Sequence, residues 1–414
     1  MSAPQVTWED VFTRIVDESH LVIGDALSAM VDGAVQPLGL AAELLVVDLG
    51  QRVLTPVRPS PGTPVAVEGT IAGRSYQLGE ILSSTEGEHS RRVLWVPMLD
   101  GTDRVGVLRI QLRSDVVDDR SLRLRCWALA GLLGHILVSK VAISERLRWM
   151  RGGGSLTASA ELLWQVVPPR TLATDQLVVT ALLEPWDRVA GDGYDFAITA
   201  DDAFLAVFDG AGHDLQAGHD TTLAITAIRL ARRRGVTDLA ALAAYADDLL
   251  LMQPGRAHFV TAVLAYLNIG TGALRYLLAG HPPPLLLRRG RPVKELAHPP
   301  RTPLGVRRTA GQVSVGQEHL EPGDRLLLYS DGITEARDAH GEFFGEQRLA
   351  DFTRRAELAR LPAPETLRRL TAAVLAHQGG QLQDDATLVL IDWSTESRRN
   401  LFPTLVVSPD SAPR

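Results

Sequence analysis

The chain has 414 residues, 45% of them hydrophobic and 22% charged, so it is long enough for two or three folded units that each bury a core. Its net charge of −7 gives no electrostatic reason to expect nucleic-acid binding. The single cysteine, Cys126, excludes a disulfide framework within one chain and lies in an apolar stretch, which predicts a core position.

The sequence predicts no membrane partner. The first residues, MSAPQVTWEDVF, lack the basic head and the apolar middle of a secretory signal. The most apolar run, residues 126–138, is interrupted by His135 and is shorter than the ~20 residues that a membrane-spanning helix needs. We therefore expect a cytoplasmic protein.

The first 143 residues show the pattern of an α+β domain. Apolar residues at helical spacing over residues 8–32 predict one or two helices. Four short apolar segments separated by turn residues follow and predict an antiparallel sheet, and then comes one long helix or two helices in series. The four segments are AELLVVDLG, SYQLGEIL, RRVLWVPML and RVGVLRIQL.

This order of elements resembles a GAF-type sensor domain over residues 1–143. A PAS domain or an unrelated α+β module is the alternative, since the resemblance depends on the pattern of elements and on one hairpin. A sensor domain implies a small-molecule or protein signal as its partner, and the sequence does not identify that signal.

A helical linker with a glycine hinge is predicted over residues 144–170. Three consecutive glycines at 152–154 interrupt the helical pattern, which resumes until two prolines at 168–169 stop it. The apolar face of this helix either packs against a second copy in a homodimer or covers its own domain. The pattern does not choose between these alternatives.

Strands and helices alternate in blocks over residues 171–395. Paired strands with helices inserted between them favour two packed antiparallel sheets flanked by helices over a parallel sheet. The predicted fold class is therefore α+β, with an α-β-β-α sandwich in this part of the chain. The polar, proline-containing residues 396–414 are predicted to form a disordered tail.

Aspartates stand where strand-like segments of this second part end or begin. Asp209 and Asp331 each follow an apolar segment and precede a glycine, and Asp384 and Asp385 come just before the last predicted strand. An ionised carboxylate at the end of a buried strand is costly without a partner, so several that converge call for a cation. Carboxylate oxygens favour a hard ion such as Mg²⁺ or Mn²⁺ over zinc.

Five ordered motifs resemble the SpoIIE/RsbU type of PPM (PP2C-like) bacterial serine phosphatase. Their order and spacing are a stronger signal than any single Asp-Gly pair, which is usually a turn. The resemblance implies that the sandwich is PP2C-like. The motifs are RVAGDGYDF (188–196), VFDGAGHD (207–214), LLAGHPPPLLL (277–287), LYSDGITEARD (328–338) and DDATLVLI (384–391).

The resemblance also implies a centre with two Mn²⁺ or Mg²⁺ ions. Asp209 would bridge the ions, with the backbone carbonyl of Gly210 as a further ligand, and Asp192 would serve one ion. Asp331 and Asp384 would complete the other. Two such ions activate water for in-line attack on a phosphoryl group, so no covalent phosphoenzyme is needed.

Other residues of the motifs receive candidate roles. His213 could protonate the leaving serine oxygen, with loop packing as the alternative, and Arg188 could steer the phosphate into the site. The chain departs from the usual Gly-His-Gly of the family at Asp214, which could bind a further metal, hinder phosphate or cap the following helix. His281, in a Gly-His-Pro-Pro-Pro turn, is expected to be structural.

Two more aspartates, Asp195 and Asp385, neighbour proposed ligands. Each is expected either to bond the local backbone or to support a ligand from behind. The basic run at 232–234 is predicted to close a helix, where cations favour the negative end of the helix dipole.

The function that the resemblance implies is a metal-dependent protein-serine/threonine phosphatase controlled by its N-terminal sensor domain. Its substrate would be a phosphorylated STAS-domain protein, an anti-anti-sigma factor of a partner-switching pathway. The alternative from another class is a catalytically silent PP2C-like regulator that binds a signalling partner. A small-molecule phosphohydrolase is a third reading.

Overall fold

The computed structural model divides the chain into two compact units, Met1–Ser155 and Leu156–Arg398, and Leu401 belongs to the first. The residues that the structure describes are 6–60, 62–87, 90–152, 158–185, 191–212, 215–255, 258–289, 291–306, 313–393 and 401.

The first unit is built on an antiparallel sheet of six strands. Its helices and strands in chain order are α1 (Trp8–Ser19), α2 (Leu27–Val35), β1 (Leu40–Val47), β2 (Val53–Pro56), β3 (Val65–Ala66), α3 (Ile71–Leu78), β4 (Leu82–Glu86), β5 (Arg91–Asp100), β6 (Asp103–Leu112), α4 (Arg120–Val141) and α5 (Glu145–Gly152), with 3₁₀ turns at Gly24–Ala26 and Gln36–Leu38. The strand order is β3-β2-β1-β6-β5-β4. Helices α1, α2 and α4 share one core with the sheet, and α3 packs in a second core with it.

One segment predicted as a strand, SYQLGEIL, is instead largely the helix α3. Thr70 caps the first turn, because its hydroxyl oxygen accepts a hydrogen bond from the amide of Gly73 at 3.0 Å. Gly79 ends the helix in the left-handed conformation, with φ of 70°. The strand prediction was wrong because the short apolar run was read without these two end signals.

Among the described residues, one helix passes a length and composition test for a membrane span. This helix is α4, with a mean hydropathy of 1.3 and a third of the tested window buried. Its residues Cys126, Leu129 and Leu133 lie fully buried in the core of the first unit. Packing against the sheet therefore accounts for the apolar character of α4, and Cys126 occupies the core position predicted from the sequence.

The second unit has two antiparallel sheets. Its helices and strands are α6 (Ala158–Val166), β7 (Thr171–Ala173), β8 (Leu177–Glu184), β9 (Asp192–Ile198), β10 (Asp202–Gly210), α7 (Leu215–Arg233), α8 (Leu239–Leu251), β11 (Val260–Asn268), β12 (Ala273–Ala279), β13 (Leu285–Arg288), β14 (Arg291–Glu295), β15 (Gly316–His319), β16 (Asp324–Tyr329), α9 (Asp331–Thr334), α10 (Gly345–Leu358), α11 (Ala363–His377) and β17 (Ala386–Trp393). The first sheet has the order β15-β12-β11-β10-β9, and the second has the order β14-β13-β16-β17-β8-β7.

The two sheets of the second unit pack face to face. Tyr194 and Val207 of the first sheet share a buried core with Leu328 and Val389 of the second. Helices α7 and α8 contact the first sheet, and α11 contacts β8 and β17 of the second. This arrangement confirms the α-β-β-α sandwich predicted from the sequence.

The segment predicted as a linker divides between the two units. Helix α5 contributes the buried Leu147 and Met150 to the core of the first unit. Helix α6 contributes the buried Leu163 to the core of the second and packs on α7. The glycines at 153–154 lie outside the described residues, as does the predicted tail apart from Leu401, which is buried.

Candidate metal centre

Three polar side chains lie side by side on the inner face of the first sheet. Asp209 on β10 is directly opposite Asp192 on β9 and directly opposite Thr261 on β11. Residues directly opposite one another in antiparallel strands point to the same face of the sheet. The register of three neighbouring strands therefore brings these side chains together.

The second sheet supplies carboxylates from two loops that meet at one end of β16 and β17. Asp331 is the first residue of α9, just after β16, and Asp384 precedes β17. A Cβ added at Gly332 would lie 1.9 Å from the backbone oxygen of Asp385, so only glycine allows the two loops to approach this closely. This contact explains the glycine of the Asp-Gly pair at 331–332.

The carboxylates of the two sheets influence one another's ionisation. Burial, followed by the charges of Asp331 and Asp384, raises the pKa of Asp209 to about 7. Burial and the charges of Asp209 and Asp385 raise the pKa of Asp192 well above its ordinary value. Burial and Asp384 also raise the pKa of Asp331. The four predicted metal carboxylates are thus close enough to form one electrostatic cluster.

Asp385 holds the backbone next to Asp192 in place. Its Oδ2 accepts hydrogen bonds from the amides of Gly191, at 2.5 Å, and Asp192, at 3.3 Å. Asp385 is 3% exposed, and its contacts join the start of β9 to the start of β17 across the two sheets. Of the two roles left open by the sequence, the structure favours support of a neighbouring carboxylate.

Asp195 has a different environment, although it is only three residues from Asp192. Its carboxylate is 1% exposed and accepts hydrogen bonds from Arg229 and Arg232, both on α7. These two ion pairs connect β9 to α7. Arg232, which belongs to the basic run at the end of α7, therefore holds the helix against the sheet.

The donor set of the cluster fits a hard divalent cation. Among the described residues, no hydrogen bond reaches the buried Asp192 Oδ2, which is costly for a carboxylate oxygen unless a cation or proton compensates it. The hydroxyls of Ser330 and Thr387 only partly offset the rise in the pKa of Asp192. Within the described part of the chain, no Lys, Arg or His forms a salt bridge with Asp192, Asp209, Asp331 or Asp384. In the same part of the chain, no three His, Cys, Asp or Glu side chains are already drawn together as a metal cage. Metal binding would therefore require the carboxylates to close on the ion.

The remaining predicted site residues have mixed outcomes. Gly210 ends β10, and a Cβ there would lie 2.7 Å from both the Ala217 carbonyl oxygen and the Thr221 hydroxyl, so a side chain has no room. His213, Asp214 and Arg188 lie outside the described residues, and their predicted roles stay predictions.

Sequence reasoning missed Thr261, and the buried, hydrogen-bonded position of His281 agrees with the structural role expected for it. The Thr261 hydroxyl is 3.4 Å from Asp209 Oδ2 and 2.8 Å from Nδ1 of His281, whose Nε2 is 3.1 Å from the carbonyl oxygen of Tyr329. Thr261 is one residue of an apolar strand segment, and only the pairing register places it beside Asp209. The Gly-His-Pro turn was a usable signal for His281, but not for its partners.

Comparison with known proteins supports the class of the second unit. Residues 199–394 match the family model described as Stage II sporulation protein E (SpoIIE). Protein IcfG of Synechocystis sp. (strain ATCC 27184 / PCC 6803 / Kazusa) is 25% identical over 250 residues, which cover 52% of this chain and 38% of that protein. Phosphoserine phosphatase RsbU of Bacillus subtilis (strain 168) is 24% identical over 224 residues, which cover 52% of this chain and 63% of that protein. The chain thus spans less than two thirds of each of these relatives.

Among solved structures, the SiaA-PP2C domain of Pseudomonas aeruginosa is 28% identical with a TM-score of 0.46, covering 52% of this chain and 86% of that one. The family-model match at residues 199–394 confirms the resemblance to the SpoIIE type that the motifs suggested. The family-model match lies within the second unit, and the GAF-like character of the first unit stays a prediction.

Proposed function

We propose that the protein is a metal-dependent protein-serine/threonine phosphatase whose second unit removes phosphate and whose first unit controls that reaction. The observation that carries the proposal is the cluster of carboxylates at the meeting point of two sheets, which have no cationic partners among the described residues. Folding brings these carboxylates together, and their proximity and burial make the ionised form less favourable. The raised pKa values of Asp192, Asp209 and Asp331 indicate this. Such an arrangement is typical of a functional site.

The ligands in this proposal come from both sheets. Asp209 would bridge two Mn²⁺ or Mg²⁺ ions, with the Gly210 carbonyl and Asp192 on one side and Asp331 and Asp384 on the other. When bound, a pair of such ions supplies an activated water and neutralises charge on the phosphoryl oxygens.

The protein's own residues set the shape of this centre. Asp385 fixes the backbone of Asp192, and the bare Cα of Gly332 lets the loop of Asp331 approach the loop of Asp384. These contacts pre-position the carboxylates, so less reorganisation is needed when a cation arrives.

We propose a phosphoserine on a STAS-domain protein as the substrate, in a cytoplasmic partner-switching pathway. The support is the match of residues 199–394 to the SpoIIE family model and the similarity to RsbU, which is itself described as a phosphoserine phosphatase. A fold alone does not specify a partner, so this part of the proposal depends on the family relationship.

The test is hydrolysis by the full-length chain of p-nitrophenyl phosphate, a phosphoserine peptide and phosphorylated STAS proteins, with and without Mn²⁺. We expect Mn²⁺-dependent turnover that Asp209→Ala abolishes, while Asp248→Ala on the exposed face of α8 retains it. Turnover that ignores both the metal and Asp209→Ala would refute the phosphatase. Binding of a STAS protein without any turnover would favour the silent regulator, and faster turnover of metabolites than of phosphoproteins would favour the small-molecule enzyme.

A further inference from the structure

The Thr261 hydroxyl has one proton and two neighbouring acceptors. Asp209 Oδ2 is 3.4 Å from the hydroxyl oxygen, and Nδ1 of His281 is 2.8 Å from it. A hydroxyl donates one hydrogen bond at a time. The protonation state of His281 Nδ1 therefore decides whether the Thr261 hydroxyl donates its hydrogen bond to His281 or to Asp209.

The contact of His281 with Tyr329 determines its tautomer. The Tyr329 carbonyl oxygen, 3.1 Å from Nε2, can only accept a hydrogen bond, so Nε2 carries a proton and donates it. His281 is 5% exposed, and burial lowers its pKa to about 4, which keeps the ring neutral at neutral pH. Nδ1 is therefore bare and accepts the hydrogen bond from Thr261.

The consequence falls on Asp209. Because the Thr261 proton points to His281, the hydroxyl presents lone pairs, and not a donor, to Asp209 Oδ2. A hydrogen bond from Thr261 to Asp209 would stabilise the carboxylate without metal and would compete with a cation for the lone pairs of Asp209 Oδ2.

We propose that His281 is a positioning residue that turns the Thr261 proton away from Asp209 and so leaves this carboxylate free to bind a divalent cation. The inference rests on the proposed metal-dependent function of the same site. It assigns His281 a role in metal affinity, where the sequence suggested only a structural one. It also explains why a buried neutral histidine lies between a strand of one sheet and the end of a strand in the other.

Two substitutions of His281 separate this role from simple packing. In His281→Asn, the amide group lies near the position of Nδ1 and can still accept the Thr261 proton. In His281→Gln, the amide group lies near the position of Nε2, so the bond to Tyr329 is kept and the acceptor for Thr261 is lost. Thr261→Val removes the proton altogether.

The experiment is calorimetric titration of Mn²⁺ into the full-length variants, with thermal melting to verify folding. We expect His281→Gln to weaken Mn²⁺ binding about tenfold, since a hydrogen bond to a charged acceptor then competes with the cation. His281→Asn and Thr261→Val should stay within about threefold of the unmodified chain. Adding Thr261→Val to His281→Gln should restore most of the lost affinity, and His298→Gln, at a half-buried histidine that contacts Ser314, serves as the matched control.

Restoration in the double variant is the decisive result, because a structural defect at His281 would be worsened by a second core substitution. Equal Mn²⁺ affinity of His281→Gln and the unmodified chain would overturn the inference, and so would a double variant as weak as His281→Gln. If the unmodified chain itself does not bind Mn²⁺, the proposed function fails together with the inference.

Discussion

Buried carboxylates in the second unit fall into two groups with opposite environments. Outside the candidate centre, Asp220 contacts the imidazole of His258. Other buried carboxylates contact a guanidinium group at hydrogen-bond distance and so tie elements together, as in the pairs Asp195–Arg229, Asp247–Arg301, Asp324–Arg288 and Glu365–Arg368. In the centre, Asp192 and Asp209 meet other carboxylates instead, and their pKa values rise. Carboxylates paired with a guanidinium group thus stabilise the fold, whereas those of the candidate centre destabilise it. This destabilisation is explained if the carboxylates of the centre bind cations.

The largest expected effect is on catalysis. Asp209→Ala removes the carboxylate that touches both halves of the cluster, and we expect at least about a thousandfold loss of phosphoserine-peptide turnover, because metal assistance is worth several kcal/mol. Steady-state kinetics at saturating Mn²⁺ measures it. A variant with more than a tenth of the normal turnover would place the chemistry elsewhere.

The paired group makes a contrasting prediction about stability. Arg301→Gln leaves Asp247 buried without its guanidinium partner, and both side chains are nearly inaccessible in the intact pair. We expect the free energy of unfolding to fall by about 3–5 kcal/mol. Urea denaturation of the metal-free protein checks this, and a loss below about 1 kcal/mol would mean that this pair contributes little to the fold.

Asp385 should behave as a support for the centre and not as a ligand. Asp385→Ala frees the amides of Gly191 and Asp192, so we expect Mn²⁺ affinity to fall about 10- to 100-fold. Turnover at saturating Mn²⁺ should recover most of its normal value. Loss of turnover that no concentration of Mn²⁺ restores would assign Asp385 a direct part in the reaction.

The smallest expected effect is a pH dependence of stability in the presence of a chelator. The pKa of Asp209 is about 7 in the folded protein and ~4 in an unfolded chain, so between these values the folded state holds a proton that the unfolded state has released. Stability of the metal-free protein should therefore fall as pH rises from about 4 to 7 and then level off.

Melting temperatures across this range, measured for the unmodified chain and for Asp209→Asn, test the pH dependence. The substitution removes the titrating group and should flatten the decline. Mn²⁺ should reverse the decline in the unmodified chain at neutral pH, since a bound cation replaces the proton. Identical pH profiles for the two proteins would mean that the raised pKa of Asp209 does not cause the pH dependence of stability.

The difference between the two groups of carboxylates was only partly predictable from the sequence. Asp209 and Asp331 could be found because each ends an apolar strand and precedes glycine, a pattern that is visible within a few residues. The partners of Asp195 could not, because Arg229 and Arg232 lie more than 30 positions away on α7 and meet β9 only after the helix packs on the sheet.

Contacts between segments that are distant in the sequence explain why other features of the site could not be predicted. Asp385 accepts a hydrogen bond from the amide of Gly191, 194 residues earlier, and the approach of Thr261 to Asp209 depends on the register of β10 and β11. Helix α3 was missed for a local reason, since its capping residues were present in the sequence and were not weighed against the apolar pattern. The aspartates at the strand ends were therefore predictable from the sequence, and the residues that support them were not.

The most direct measurement is a crystal structure of the full-length protein with Mn²⁺, using anomalous scattering to locate the ions. We expect two anomalous peaks between the two sheets, bounded by oxygens of Asp192, Asp209, Asp331 and Asp384. Well-ordered crystals that show these four side chains without manganese, or manganese bound only elsewhere, would contradict this expectation.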